Sequence, residues 1–234
     1  MHISNPAVSS IENETDVIAR LLKLDGAEVL ELGCGKAEKT RFIAQEAAAI
    51  LALEVDEAQL ALNKTAVHSE NIRFEHGAAE RIPAANDSFD LVLMFKSLHH
   101  VPAEQMESGF SEIHRVLKPG GMAYISEPVF AGEFNEILRL FHDEQIVREK
   151  AFAAIKRAVA SGQFTLISQT FFSQPSHFEN FDQLEKQVIQ VTHTNHRLSS
   201  ALLDEVRAAF NKHMTPEGAH FKTPIRVDLL RKSS

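Results

Sequence analysis

Short apolar runs of strand length recur along the first half of the chain, each closed by a polar or turn residue. Val29-Leu30-Glu31-Leu32 runs into Gly33, Ala49–Val55 carries an acid near its end at Glu54, Phe89–Phe95 runs into Lys96, and Met122–Glu127 ends in an acid. Such runs, bounded by turn signals, read as buried parallel strands. Asn71–His76 alternates in character and reads as a further strand. Between these runs the apolar period lengthens to that of a helix. Residues 9–24 set Ile11, Val17, Ile18, Leu21 and Leu22 on one face, with Ser10 as N-cap. Lys36–Ala48, Glu57–Val67 behind the N-cap Asp56, and Ala103–Leu117 supply the crossover helices. Strand and helix in alternation predict an α/β fold.

Beyond Pro128 the pattern loosens. Phe134–Ala160 has apolar positions at helical spacing, namely Ile137, Leu138, Phe141, Ile146 and Val147, and Gly162 breaks it. Phe164–Phe172 reads as a strand, Phe181–Val191 and Ser199–His213 as helices, and Phe221–Arg231 as a last strand containing Pro224. No repeat, linker or low-complexity run divides the chain, so one domain over residues 1–234 is expected.

The sharpest local feature is the turn after the first strand, Glu31-Leu32-Gly33-Cys34-Gly35-Lys36-Ala37. Glycines at 33 and 35 let the backbone take positive φ and let a ligand approach without meeting a Cβ. The helix that follows offers free N–H groups. A dinucleotide fingerprint needs a small residue at position 38, where Glu38 stands. The pattern E-x-G-x-G-x-A instead resembles motif I of class I S-adenosylmethionine (SAM) methyltransferases, with alanine for the last glycine. Further stretches resemble later motifs of that family in the same order: Gly77–Pro83 with Phe89-Asp90, then Ser97-Leu98-His99-His100-Val101, then Glu112–Gly121. The resemblance covers about residues 27–127. One departure is Ala78, which stands where the family usually has an aspartate near the adenine.

The resemblance implies a Rossmann-like, doubly wound sheet of seven strands whose last strand is antiparallel. It also implies a helical insertion over residues 128–162 covering the active site, with residues 1–26 as an N-terminal helix and 163–234 as C-terminal strands and helices. It implies SAM as cofactor, S-adenosylhomocysteine as product, and methyl transfer to a small-molecule acceptor at O, N, S or C. Cofactor-binding residues follow from the matched motifs: Glu31, Gly33, Cys34, Gly35, Glu54, Val55, Ala79, Glu80 and Lys96. Independently of the family, Glu54 lies about 20 residues after the glycine turn at a strand end, where a carboxylate accepts two ribose hydroxyls. With no aspartate at 78, adenine falls to the Ala79 backbone and Glu80.

His99 and His100 are the catalytic candidates, since histidine titrates near neutrality. A substrate-contacting or structural role weighs as heavily for this pair. Glu127, Asn135, Arg139 and His142 are candidate acceptor contacts, the last three spaced about a helical turn apart. His193-x-x-His196 beside His142-Asp143-Glu144 has the residue types of a metal site. Helix-surface histidines in a chain with twelve of them are the better reading, and no metal is expected. Cys34, the single cysteine, reads as a small buried residue and excludes an internal disulfide.

Composition narrows the partners. A net charge of −8 weighs against a nucleic-acid partner, so tRNA methylation is the weaker alternative, beside protein methylation and a non-catalytic SAM-binding module. No apolar run has the roughly 20 residues of a membrane span, and the first residues lack a secretory signal pattern. The expectation is a cytoplasmic monomer or homodimer.

Overall fold

The computed structural model describes residues 1–5, 10–190 and 197–233. Its frame is one mixed sheet. The strands are β1 (Glu28–Leu32), β2 (Ala49–Glu54), β3 (Ile72–His76), β4 (Phe89–Phe95), β5 (Leu117–Pro128), β6 (Phe164–Phe178), a two-residue β7 (Met214–Thr215) and β8 (Gly218–Lys232). Their spatial order is β3-β2-β1-β4-β5-β8-β6, with β7 attached to β8. β3 to β5 pair in parallel, and β8 runs antiparallel between β5 and β6. The order reverses between β1 and β4, and ligands of open α/β sheets bind outside the strand ends at that reversal.

Alternation along the buried strands decides the layering. Val29, Ile50, Ala52, Leu91 and Leu93 face one way and pack with Val17, Ile18, Ile43 and Leu60. Those helical residues lie in α1 (Glu14–Leu21), α2 (Glu38–Ile43) and α3 (Glu57–Thr65). Leu30, Leu32, Leu51, Val92 and Met94 face the other way, against Met106, Phe110, Ile113, Ala151, Ala154 and Ile155. These come from α4 (Met106–Val116) and α6 (Gln145–Ala160). Each fully buried Leu, Ile or Phe stabilises the fold by roughly 1.5–3 kcal/mol, several times any difference in helix propensity. A third cluster, with Phe178, Phe181, Val206, Phe210 and Phe221, lies where β6 and β8 continue beyond the sheet. α5 (Glu133–Leu138), α7 (Phe181–Leu184) with a π-helical turn at Glu185–Ile189, and α8 (Ser200–Asn211) build around it.

Several sequence expectations shift. The N-terminal helix begins at Glu14 and is capped by Asn13, without a side-chain bond. Ser10 is no N-cap, because Ser10–Glu12 is extended and hydrogen-bonds to Ser173 of β6. α2 is shorter than Lys36–Ala48, since Ala37 at φ 57° delays its start. The helix expected over Phe134–Ala160 is two helices, broken between Leu138 and Gln145. β6 and β8 each run to 15 residues, because they pair with each other over their whole length. β7 raises the strand number from seven to eight.

Candidate functional site

β1 and β4 leave the sheet side by side, and their exits shape a cleft. Gly33 has φ 73° and Gly35 has φ 50°, both in the left-handed region. A Cβ on Gly33 would stand 2.8 Å from the Ser97 Cβ, so the two strand exits meet only because residue 33 is glycine. A Cβ on Gly35 would meet nothing within 4 Å and would project into open space. The turn is tied down from three sides. Gly33 and Cys34 N–H groups donate to the Leu53 carbonyl at 2.9 and 3.0 Å. Asn63 Nδ2 of α3 donates to the Gly35 carbonyl at 2.7 Å. The Gly35 N–H donates to Glu54 Oε2 at 2.7 Å.

Glu54 also accepts from the Val55 and Asp56 N–H groups, at 2.9 and 3.0 Å. A carboxylate has about four acceptor positions, so three of them are already taken. Two ribose hydroxyls at Glu54 therefore require it to release at least one backbone donor. Val55 is exposed beside it at the rim of the cleft.

Glu31 is buried and accepts from Thr40 Oγ1 at 2.6 Å. Burial pushes its carboxyl up to about 7; the Thr40 hydrogen bond and Lys39 oppose this, while the charges of Glu14 and Glu54 add to it. Glu14, from α1, is also buried, and its Oε1 has no hydrogen-bond partner among the described residues. Burial likewise pushes the Cys34 thiol far up, aided by Glu31 and Glu54, so it stays a neutral packing group. Lys96 sits at φ 55°, a strained conformation for a side-chain-bearing residue, with its N–H on the Ser126 carbonyl at 2.7 Å. Its Nζ donates to Gln174 Oε1 at 3.0 Å, and burial lowers its pKa against the pull of Glu14 and Glu127. Ala79 is buried with its side chain against Gly109 of α4, so only its backbone can face the cleft. Glu80 is half-buried in the same turn.

Open space under Gly35, a ring of acids, and a buried carboxylate oxygen without a donor suit a ligand carrying ribose hydroxyls and positive charge. SAM has both, in its nucleoside, its ammonium and its sulfonium. The residues present fit it.

Lys96 also lines a cavity of about 350 Å³. Its walls include Phe134 and Leu138 of α5, Phe141, His142, Val188 and Gln174. On one side stands a charged cluster. His99 is buried on a 3₁₀ turn, Leu98–His100. Its Nδ1 lies 2.5 Å from Glu127 Oε2 and its Nε2 lies 3.3 Å from Glu144 Oε1. Burial disfavours its charge, yet the two carboxylates win and push it up to about 9. Glu144 is buried too, but His99 and Arg148 overcome that and hold its carboxyl far below the usual range. Arg148 Nη2 meets Glu144 Oε2 at 2.6 Å, and Arg148 Nη1 donates to Asn135 Oδ1 at 3.1 Å.

The fold separates the candidates read from the sequence. Both ring nitrogens of His99 face carboxylates, so in this arrangement it cannot take a substrate proton. His100 is exposed and lines the cavity. Of the four candidate acceptor contacts, His142 lines the cavity. Glu127 stands behind His99, and Asn135 stands behind Arg148. Arg139 is exposed, pairs with Glu136 at 3.4 Å and lies over Phe130. Arg139 keeps its one-turn relation to Asn135, its N–H on the Asn135 carbonyl at 2.9 Å, but Asn135 is buried and Arg139 exposed, so the two do not converge on the cavity. His193 and His196 fall outside the described residues. Thr40, Asn63, Ser97, Glu14, Glu144 and Arg148 were not singled out for these contacts. A polar residue facing inward from an apolar helix face, as at Thr40 and Asn63, was the available signal.

A doubly wound sheet with its antiparallel strand next to the edge, holding a glycine turn over an acid-lined cleft, defines the SAM-binding methyltransferase architecture. Residues 29–121 match a family described as "Methyltransferase domain". Over these residues the chain is similar to the class I SAM-dependent methyltransferases. It is 36% identical over 97 residues to the uncharacterized methyltransferase sll0829 of Synechocystis, covering 42% of this chain and 45% of that one. It is 35% identical over 106 residues to a demethylmenaquinone methyltransferase of Staphylococcus epidermidis, covering 44% and 43%. The match thus spans under half the length of these two relatives. The crystal structure of YcgJ from Bacillus subtilis superposes with a TM-score of 0.61 at 21% identity, over 94% of this chain and 98% of that one. No described helix is long and apolar enough to cross a membrane.

Proposed function

We propose that this protein transfers the methyl group of SAM to a small-molecule acceptor held in the cavity beside Lys96. The observation that supports it is the junction at Lys96-Ser97. Ser97 packs on Gly33 of the nucleoside turn, and Lys96 lines the neighbouring cavity. Cofactor cleft and cavity therefore meet at one point of the chain. At about 350 Å³ the cavity is at the small end of ligand pockets and suits a metabolite, not a polymer. Phe134, Leu138, Phe141 and Val188 offer an apolar bed, and Lys96, His100 and His142 offer polar handles. An acceptor with an apolar or aromatic body and one polar end fits this lining. A relative named for demethylmenaquinone is in keeping with that chemistry.

The cofactor supplies an already activated methyl group. The chain's own residues have three tasks: holding the nucleoside, excluding water and aligning the acceptor. Glu54 takes ribose hydroxyls as it releases backbone donors. Glu31 and Glu14 face the ammonium end. α5 and the segment Phe141–Glu144 close the cavity as the cover, while most of α6 packs in the core and does not move with it. Any proton lost from the acceptor goes to water, since His99 faces carboxylates on both ring nitrogens. The chain is read as one domain acting in the cytoplasm without a nucleic-acid partner. Incubating a metabolite extract with methyl-labelled SAM and the protein tests the reading. Labelled product of low mass with S-adenosylhomocysteine supports it, and label found only on RNA or protein replaces the acceptor class.

A further inference from the structure

We propose that His99, His100 and Glu144 form a binding site for one divalent first-row transition-metal ion on the wall of the acceptor cavity. One ligand atom from each lies within 4.8 Å of the others. The donor types are two imidazoles and a carboxylate, which suit Zn²⁺, Co²⁺ or Ni²⁺ and not Mg²⁺ or Ca²⁺. This set shares Glu144 with the His142-Asp143-Glu144 triplet read in the sequence and takes its histidines from the turn at Leu98–His100 in place of His193 and His196.

Second, independent observations come from the groups behind the ligands. Metal-binding histidines almost always carry a carboxylate or carbonyl on the nitrogen that faces away from the ion. Glu127 Oε2 holds His99 Nδ1 at 2.5 Å, and Glu127 is itself fixed by the Leu98 N–H at 3.0 Å. His99 Nε2 is thereby aimed at Glu144. Glu144 shows the same division of labour. Its Oε2 is taken by Arg148 at 2.6 Å, and its Oε1 turns toward His99 Nε2 at 3.3 Å. Two ligand atoms at about 2.0–2.1 Å from a tetrahedral ion are roughly 3.3 Å apart. The observed edge is already of that length. His142 Nε2 lies 2.9 Å from the same Glu144 oxygen, so a fourth donor stands beside the three.

The ion would take the place of the proton that His99 Nε2 shares with Glu144 Oε1, so uptake releases a proton from the imidazole. All three ligands, with His142, line the cavity, so a remaining coordination position opens toward whatever fills it. That last placement rests on the acceptor reading; the ion site does not.

The test uses the full chain without a polyhistidine tag, stripped by a chelator, with neither SAM nor acceptor present. Titration with Zn²⁺ by calorimetry should give one equivalent per chain. Co²⁺ should give the strong visible bands of a four- or five-coordinate ion in place of the weak spectrum of the aqueous ion. His100→Ala, at an exposed position, and Glu144→Gln, which keeps the shape, should each weaken uptake at least tenfold. Glu127→Gln should weaken it about 10- to 100-fold. His68→Ala, far from the cluster, should change nothing. Absence of stoichiometric uptake, or uptake undiminished in both His100→Ala and Glu144→Gln, overturns the site. Because no methyl transfer is measured, that failure is separate from a failure of the proposed activity.

Discussion

At Glu31, burial holds the carboxyl near 7, so its charge is half formed at neutral pH. Between the ordinary value of 4.5 and about 7 the folded chain keeps a proton that the unfolded chain has lost. Stability of the ligand-free chain should therefore fall as pH rises through that window and level off above it. A cationic ligand prefers the ionised form. SAM affinity should then rise about tenfold from pH 6 to pH 8, and Glu31→Gln should flatten that rise, as calorimetry at the two pH values would reveal. A flat profile in the parent chain would remove Glu31 from the ammonium site. The two glycines make a second residue-scale contrast. Gly33→Ala meets Ser97 at 2.8 Å and a left-handed φ, and should destabilise the fold by about 1–3 kcal/mol in denaturant titrations. Gly35→Ala meets no protein atom, so it should cost about 1–2 kcal/mol of fold yet lose most SAM affinity by filling the cradle. Equal effects of the two on binding would show that the cradle is elsewhere. Glu54→Ala should weaken SAM by about 1.5–3 kcal/mol and speed hydrogen exchange at Gly35, Val55 and Asp56, whose amides it holds.

Among the elements, the line between core and cover falls inside one expected helix. Pattern alone joined Phe134–Ala160, because apolar spacing survives the break at Leu138–Gln145. The packing separates them: Ala151, Ala154, Ile155 and Ala158 of α6 lie in the sheet core, while Phe134 and Leu138 of α5 line the cavity. Ala154→Leu should overpack that core and cost about 1–3 kcal/mol of stability. Leu138→Ala should instead raise the acceptor KM while SAM affinity stays within about threefold, under 1 kcal/mol. If Leu138→Ala changes SAM affinity as much as acceptor KM, α5 is not an acceptor wall. β1, β2, β4 and the second half of β5 were legible because burial on both faces writes itself as short apolar runs, and the edge strand β3 because its burial alternates. β6 and β8 were legible only in part. Their outer halves pair with each other away from the parallel sheet, and half-buried residues such as Ser173, Gln174 and Thr223 carry no clear alternation.

Across the whole molecule, what could be read from the chain follows sequence distance. The proposed cofactor cleft comes from consecutive β–α turns, so that Glu31, Gly33, Gly35 and Glu54 share it could be read from their spacing. The proposed acceptor side is assembled from the turn at Leu98–His100, the end of β5 at Glu127, the break after α5 and the far half of β6. No local pattern ties Glu127 and Glu144 to His99, so the sequence left His99 open between a catalytic and a structural role, and only the fold brings carboxylates to both its ring nitrogens. Whether cleft and cavity act together in methyl transfer is tested by single-vessel incubation of the protein with methyl-labelled SAM and a small-molecule metabolite extract, followed by mass spectrometry of the low-mass fraction. A labelled acceptor should form in step with S-adenosylhomocysteine, and both should be lost in Glu54→Ala. SAM bound by calorimetry but never turned over, across extracts that support other methyltransferases, would contradict that joint action.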